Sequence, residues 1–281
     1  MVTLTDLCFS YKKGKKVFDN LSLSLEGGNI YGLLGKNGAG KTTLLKIICG
    51  LLFADSGKAH VLGYACRRRS PEFLSDLFFI PEEFHVPPVT AAAYWRYYHP
   101  FYPHFDTALF ESSLSAFSLK LSDRLSTLSY GNKKKFLIAF GLACGCKLLI
   151  LDEPTNGLDI PTKSQFRKLV AGALTEERAF VISTHQVRDM ENLIDPVIIL
   201  DNGRIVFQQT LQETSAKLSV ARVNALPENT PVLFSEKTLA GYTMVTPNTT
   251  GEDSGIDLEL LFNAVIANGS AMEKIFSTGG Q

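Results

Sequence analysis

The chain has 281 residues, enough for one large domain with an appendage or for two modest domains. Hydrophobic residues make up 45% of it and charged residues 20%, which is typical of a folded protein and too apolar for a disordered one. The 28 basic and 28 acidic side chains cancel, so the chain lacks the bulk positive charge that favours nucleic acid, and we expect no nucleic-acid partner. No apolar stretch reaches the about 20 residues that cross a bilayer, and residues 1–6 do not resemble a signal peptide. We therefore expect an intracellular protein whose five cysteines are reduced core thiols.

The first predicted elements surround a glycine-rich loop. Residues 21–25 alternate between apolar and polar types, which predicts a half-buried strand. Residues 30–34 form an unbroken apolar run of strand length, and apolar residues recur at helical spacing over residues 44–52. The predicted order is therefore strand, glycine loop, helix.

Three later apolar runs predict buried strands, at residues 148–151, 180–183 and 197–200. The last run leads into Asn202-Gly203, which predicts a hairpin. Buried strands separated by helical segments predict an α/β fold with a mainly parallel sheet, in addition to an antiparallel β part at the N-terminus.

Two segments depart from this pattern. Aromatic residues crowd together between about residues 87 and 128, and helical patterning resumes at residues 109–121, so we predict a helical insertion. Its aromatic cluster is interpreted as a small core or a partner-docking face, with a base-stacking surface as a further alternative. Residues 218–281 are richer in acidic than in basic side chains, and Asp257 is predicted to cap a helix there. We predict a main domain over residues 1–217 and a small α+β appendage over residues 218–281.

The glycine-rich loop fits the P-loop pattern and lies between a predicted strand and a predicted helix. Glycines allow consecutive backbone N–H groups to surround a phosphate, and the helix N-terminus adds the positive end of its dipole. We expect Lys41 to reach the β- and γ-phosphate oxygens and the Thr42 hydroxyl to ligate Mg²⁺. The predicted phosphate-binding residues are Gly35, Lys36, Asn37, Gly38, Ala39, Gly40, Lys41, Thr42 and Thr43.

Two carboxylates follow the predicted strand at residues 148–151. Asp152 would lie at the carboxyl end of that strand, beside the P-loop, where it can hold Mg²⁺ through water. Glu153 can orient a water in line with the γ-phosphate and act as its general base.

In sequence order, these motifs resemble those of an ATP-binding-cassette (ABC) ATPase subunit over about residues 11–209. Residues 128–132, Leu-Ser-Tyr-Gly-Asn, resemble the signature sequence of the family. Residues 152–159 resemble its Walker B motif and D-loop, and residues 183–185 resemble the segment that carries its switch histidine. The resemblance implies a P-loop NTPase fold that binds ATP and Mg²⁺.

In this family two nucleotide domains enclose two ATP molecules head to tail. The resemblance implies that Ser129 and Gly131 contact the γ-phosphate held by the opposing subunit, and that Asp159 crosses the interface. It implies that His185 contacts the γ-phosphate of its own site. Tyr11 lies where the family places an aromatic ring on adenine, or it is an ordinary tyrosine at a strand edge.

The sequence departs from the family pattern at two places. Tyr130 replaces a glycine of the signature, and the Q-loop glutamine is replaced by Glu82, or by Glu83 if the alignment shifts by one residue. A carboxylate there can still ligate Mg²⁺, although it adds negative charge beside the phosphates. The basic run at residues 133–135, like that at residues 12–16, is interpreted as a solvated face that could instead touch nucleotide or lipid.

The resemblance implies an ATPase that drives a separate membrane permease, on the cytoplasmic face of the inner membrane, as a homo- or heterodimer. The segment at residues 101–106 and Glu82 are similar to ABC-2-type exporters, so export is the expected direction. The alternative is a soluble ABC ATPase that serves as an assembly or regulatory factor.

Overall fold

The computed structural model describes residues 1–277 except residues 13, 228–230, 240, 250, 252–254 and 256. The strands are β1 Val2–Lys12, β2 Lys15–Leu25, β3 Asn29–Leu34, β4 Ser56–Val61, β5 Tyr64–Ala65, β6 Leu77–Ile80, β7 Leu148–Asp152, β8 Ala179–Thr184, β9 Val197–Asp201, β10 Arg204–Gln209, β11 Leu218–Val223, β12 Phe234–Thr238 and β13 Gly241–Pro247. The α-helices are α1 Lys41–Ile48, α2 Pro71–Ser75, α3 Ala91–Tyr98, α4 Thr107–Ala116, α5 Tyr130–Ala143, α6 Ile160–Ala173, α7 Leu211–Lys217, α8 Leu258–Ala267 and α9 Gly269–Ser277.

The central sheet has the strand order β10-β9-β3-β8-β7-β6, and its strands are parallel except for the antiparallel pair β9–β10. The predicted mainly parallel sheet is therefore confirmed. The strands β3, β7, β8 and β9 are buried on both faces, which explains why they appear in the sequence as continuous apolar runs. The carboxyl ends of β3, β7 and β8 are neighbours at one edge, where ligands of such sheets bind.

The N-terminal antiparallel part is confirmed as the sheet β2-β1-β4-β5. The predicted hairpin through Asn202-Gly203 is also confirmed, and both residues have the positive φ that a tight turn between β9 and β10 requires. Together with α1, this antiparallel sheet encloses one of two hydrophobic clusters on the faces of the central sheet.

The helical insertion contains α3 and α4, and α4 ends at Ala116, earlier than the periodicity predicted, because Ser118 adopts a positive φ. Part of the aromatic cluster forms a core, in which the rings of Tyr94, Phe105 and Phe110 pack on Phe140 of α5. Other rings stay exposed, among them Tyr97 and Phe101. The core interpretation is therefore confirmed for the buried rings, and the partner-docking interpretation stays a prediction for the exposed ones.

The C-terminal part carries a three-stranded sheet, β11-β13-β12, and the helices α8 and α9, as the predicted α+β appendage requires. Asp257 caps α8 by accepting a hydrogen bond from the Leu260 N–H at 2.8 Å, as expected. Residues 278–281 of this predicted region lie outside the described part. Within the described part, the helices are all too short or too polar to cross a bilayer.

Candidate nucleotide-binding site

The glycine loop joins β3 to α1 at the carboxyl edge of the central sheet. Gly38 and Gly40 have φ of 81° and 109°, which side-chain-bearing residues rarely adopt. A Cβ atom on Gly40 would lie 2.9 Å from the Phe18 ring, so close packing as well as backbone conformation requires glycine there. The Lys41 side chain is buried, and its Nζ donates to the Gly35 carbonyl at 2.8 Å. This arrangement holds the lysine against the loop that would surround a phosphate.

Thr42 and Asp152 meet across this edge, where the Thr42 hydroxyl donates to Asp152 Oδ2 at 2.7 Å. The other carboxylate oxygen of Asp152 accepts a hydrogen bond from the Ser183 hydroxyl. The two predicted Mg²⁺ ligands are therefore adjacent, whereas Ser183 was not predicted as a site residue. One hydroxyl and one carboxylate are hard oxygen donors, which suits Mg²⁺ when phosphate oxygens and water complete its shell. Among the described residues, His, Cys, Asp and Glu side chains do not gather in groups of three or more that could hold a metal ion.

Glu153 lies next to these groups with a buried side chain and a φ of 48°. His185 Nδ1 lies 2.8 Å from Glu153 Oε1, and Lys41 Nζ lies 3.7 Å from the same oxygen. Because a carboxylate only accepts hydrogen bonds, this contact places the proton of a neutral His185 on Nδ1. The two candidate catalytic residues are therefore in direct contact.

Glu82, and not Glu83, lines the same cleft; Glu83 is exposed. Glu82 Oε1 accepts from Asn156 Nδ2 at 2.9 Å, and Asn156 Oδ1 accepts from Gln186 Nε2 at 3.2 Å. This chain of amides joins the Glu82 segment to the residues that follow Glu153 and His185. Asn156 lies within the D-loop-like segment at residues 152–159 and Gln186 follows His185, but neither was predicted as a site residue.

The cleft has a volume of about 520 Å³, and its walls combine the P-loop with the start of β2. Tyr11 lies at its rim, 59% exposed, with its hydroxyl 2.9 Å from Thr43 Oγ1. Lys12 and Lys15 also line the cleft, so part of the first basic run faces it; Lys13 lies outside the described residues.

Ser129, Gly131 and Asp159 do not line this cleft. Ser129 caps α5 by accepting from the Asn132 N–H at 3.3 Å, and Asp159 caps α6 by accepting from the Thr162 N–H at 3.0 Å. The hydrogen bonds from Thr162 lower the pKa of the exposed Asp159 carboxyl. Within one chain, these residues therefore serve local structure and complete no site.

The interpretation of residues 133–135 as a solvated face is wrong for Lys134, which is fully buried. Lys134 Nζ donates to the Glu153 carbonyl at 3.0 Å and to the Asn156 carbonyl at 3.1 Å. Burial lowers the pKa of Lys134. No pattern in the sequence separates it from its neighbours, because its burial depends on how α5 packs against the loop after β7.

Comparisons with known proteins agree with this geometry. The family model described as ABC transporter matches residues 18–156. The ABC transporter ATP-binding protein NatA of Bacillus subtilis is 30% identical over 222 residues, which cover 75% of this chain and 90% of that protein. The Nod factor export ATP-binding protein I of Neorhizobium galegae is 32% identical over 206 residues, covering 69% of this chain and 58% of that protein.

Two solved structures have the same fold. One, described as the ATP-binding subunit of an ABC transporter, aligns with a TM-score of 0.69 at 26% identity and covers 76% of this chain and 91% of that one. The other is a dimeric post-hydrolysis state of an ATP-binding cassette bound to ADP and Pi. It aligns with a TM-score of 0.65 at 22% identity, covers 75% of this chain and 99% of that one, and shows the fold alone.

Proposed function

Because the chain belongs to the ABC transporter family as an ATP-binding subunit and ATPase, we propose that it hydrolyses ATP in a head-to-tail dimer and drives a separate membrane permease. The observation that carries the proposal is the split of the predicted residues into two sets. Lys41, Thr42 and Glu153 meet in one cleft, whereas the signature residues lie outside it. A second subunit would supply the missing contacts.

The cleft residues have distinct roles in this proposal. The P-loop N–H groups and Lys41 bind the phosphates, and the buried Glu153 carboxylate accepts a proton from the attacking water. His185 orients Glu153 through the Nδ1 contact at 2.8 Å. Tyr11 covers the adenine end of the cleft.

Thr42 and Asp152 would hold Mg²⁺, with Glu82, which also lines the cleft, as a further oxygen donor. When bound, the ion neutralises negative charge on the β- and γ-phosphates. Asp152 is fixed for this role because Ser183 binds its second carboxylate oxygen.

We place the permease contact on the exposed rings of the helical insertion. Tyr98 and Phe101 line a groove of about 670 Å³ together with Arg69, Pro71 and Leu74 near α2. Exposed aromatic rings beside a concave surface are typical of partner-binding sites. The subunit would then lie on the cytoplasmic face of the membrane. We propose that the transport is export, which the name of the Nod factor export relative supports.

Mixing two inactive variants tests the head-to-tail arrangement. Lys41→Ala disables the P-loop, whereas Ser129→Asp keeps a good N-cap for α5 and places a negative charge where the opposing γ-phosphate would lie. Each variant alone should be inactive. In an equal mixture, half of the dimers are mixed and each has one intact composite site, so activity should return to about a quarter of the wild-type rate.

The control is a mixture of Lys41→Ala with a Lys41→Ala, Ser129→Asp double variant, which has no intact composite site and should stay inactive. If the first mixture also stays inactive although the subunits exchange, the P-loop and the signature of one site come from the same chain. The head-to-tail proposal would then be wrong.

A further inference from the structure

Lys134 is a buried cation that the catalytic roles above do not use. It lies in the first part of α5, just after the signature residues, and its side chain has no solvent exposure. A buried ammonium group loses its hydration, which is costly unless hydrogen bonds replace it. An apolar side chain of similar length would fill the same volume without that cost. The contacts of Lys134 therefore point to a role beyond packing.

Those contacts lie on both sides of the turn that begins at Glu153. Lys134 Nζ donates to the Glu153 carbonyl and to the Asn156 carbonyl, at 3.0 and 3.1 Å. The Glu153 carbonyl also accepts from the Asn156 N–H at 3.3 Å, which closes the turn. A φ of 48° is unfavourable for a glutamate and persists only where surrounding contacts fix it. Lys134 supplies one of those contacts directly.

Tyr130, at the position where the family signature has glycine, covers the same ammonium group. Lys134 Nζ lies 5.0 Å from the centre of the Tyr130 ring, within the range of a cation–π contact. The Tyr130 hydroxyl donates to the Glu82 carbonyl, and its ring stacks on Phe84 with centroids 5.1 Å apart. The start of α5 is therefore joined to two walls of the cleft, the Glu82 segment and the turn at Glu153.

We propose that Lys134 is a positioning residue for ATP hydrolysis, which holds the backbone of Glu153 so that its carboxylate faces the γ-phosphate. Tyr130 keeps the ammonium group in place and links it to the Glu82 segment. The inference rests on the proposed role of Glu153 as general base. Lys134 does not itself line the cleft, and its contact with the cleft is through the backbone of Glu153.

Three variants of the full-length chain test this role. Lys134→Met keeps most of the volume and removes the donors, Lys134→Gln keeps two N–H donors for the two carbonyls, and Lys133→Met is the matched control on the same helix turn. Displacement of a catalytic group by about 1 Å can cost about 100-fold in rate, so we expect Lys134→Met to lower kcat by about 10- to 100-fold. We expect KM for ATP and the binding of a fluorescent ATP analogue to stay within about 3-fold, because the P-loop is unchanged. Lys134→Gln should recover part of kcat, and Lys133→Met should match the wild type.

Several results would overturn the proposal. A Lys134→Met variant with wild-type kcat, or one that raises KM and leaves kcat unchanged, would show that Lys134 does not position the base. Equal losses in the Met and Gln variants that follow their melting temperatures would assign Lys134 to stability alone. Failure of both variants to fold would lead to the same conclusion.

A double-mutant cycle separates this inference from the proposed role of Glu153. If Lys134 acts through Glu153, then Lys134→Met should have no further effect on the residual turnover of Glu153→Gln. An equal loss in both backgrounds would refute the inference and leave the general base in place. A Glu153→Gln variant with the wild-type rate would instead refute the role of Glu153.

Discussion

Two groups of predicted site residues behave differently in one chain. The cleft cluster is defined as Lys41, Thr42, Asp152, Glu153 and His185, at the edge of the parallel sheet. Thr42 contacts Asp152 at 2.7 Å, and Glu153 contacts His185 and Lys41 at 2.8 and 3.7 Å. The facing residues are defined as Ser129, Gly131 and Asp159, and they lie outside the cleft. Ser129 and Asp159 cap α5 and α6, and Gly131 packs close to the Gly157 carbonyl. The two groups differ in whether one chain alone brings their side chains together in a cleft. Under the proposed function, the cleft cluster binds the phosphates within a single chain, whereas the facing residues would need a partner subunit to reach a nucleotide.

The largest expected effect is a loss of turnover in the cleft cluster. Glu153→Gln keeps the size of the side chain and an oxygen that can accept from His185, but removes the base. We expect kcat to fall by about 10²- to 10⁴-fold while ATP binding persists. The ATP-bound dimer should then accumulate and be visible by size-exclusion chromatography with ATP.

The control for this variant is Glu111→Gln, an exposed position on α4. It should hydrolyse ATP at the wild-type rate. A Glu153→Gln protein that also does so would remove the general base from the cleft cluster.

An intermediate effect, on stability, is expected at Gly131, one of the facing residues. A Cβ atom at this position would lie 2.9 Å from the Gly157 carbonyl oxygen, a backbone atom that cannot move aside as the end of a flexible side chain could. We expect Gly131→Ala to lower the free energy of unfolding by about 1–3 kcal/mol, as crowding of a packed site does. Chemical denaturation of the full chain measures it.

Gly172→Ala is the matched control, because it lies on α6 with nothing within 4 Å of the added Cβ. There the substitution should be neutral or stabilising by up to about 1 kcal/mol. If the two variants have similar free energies of unfolding, the Gly157 carbonyl does not obstruct a side chain at residue 131.

The smallest effect on stability is expected at Asp159. Asn can replace the cap at the start of α6, whereas Ala cannot, so Asp159→Ala should lower the melting temperature slightly more than Asp159→Asn. If the carboxylate crosses the dimer interface, both variants should lose ATPase activity by a similar factor. Loss of activity only in the Ala variant would show that Asp159 acts only as the N-cap of α6.

The pH dependence of this cap has a definite sign. The hydrogen bonds from Thr162 lower the pKa of Asp159 in the folded chain. The contribution of the cap is therefore complete above the ordinary aspartate pKa and is lost as the pH falls through the lower folded value. The difference in melting temperature between the Asp159→Ala variant and the wild type should be constant near neutral pH and shrink only in acid.

Much of the fold followed from local patterns. The continuous apolar runs predicted β3, β7, β8 and β9 because a strand covered on both faces has no polar side. The end of α4 was missed, since it depends on the backbone of Ser118, which takes a positive φ that no side-chain pattern announces. Helix ends are generally set by such local geometry.

By itself, the sequence determined the phosphate loop, the carboxylates after β7 and the order of the motifs, because these depend on residue types at fixed spacing along a strand-loop-helix segment. Only the tertiary structure decided that Lys134 is buried, that Tyr130 reaches Glu82, and that Glu82 rather than Glu83 lines the cleft. These three facts arise from contacts between residues 19, 48 and 74 positions apart in the chain. Side chains of one charge and similar length, such as the three consecutive lysines, are equivalent in sequence until packing places one of them inside.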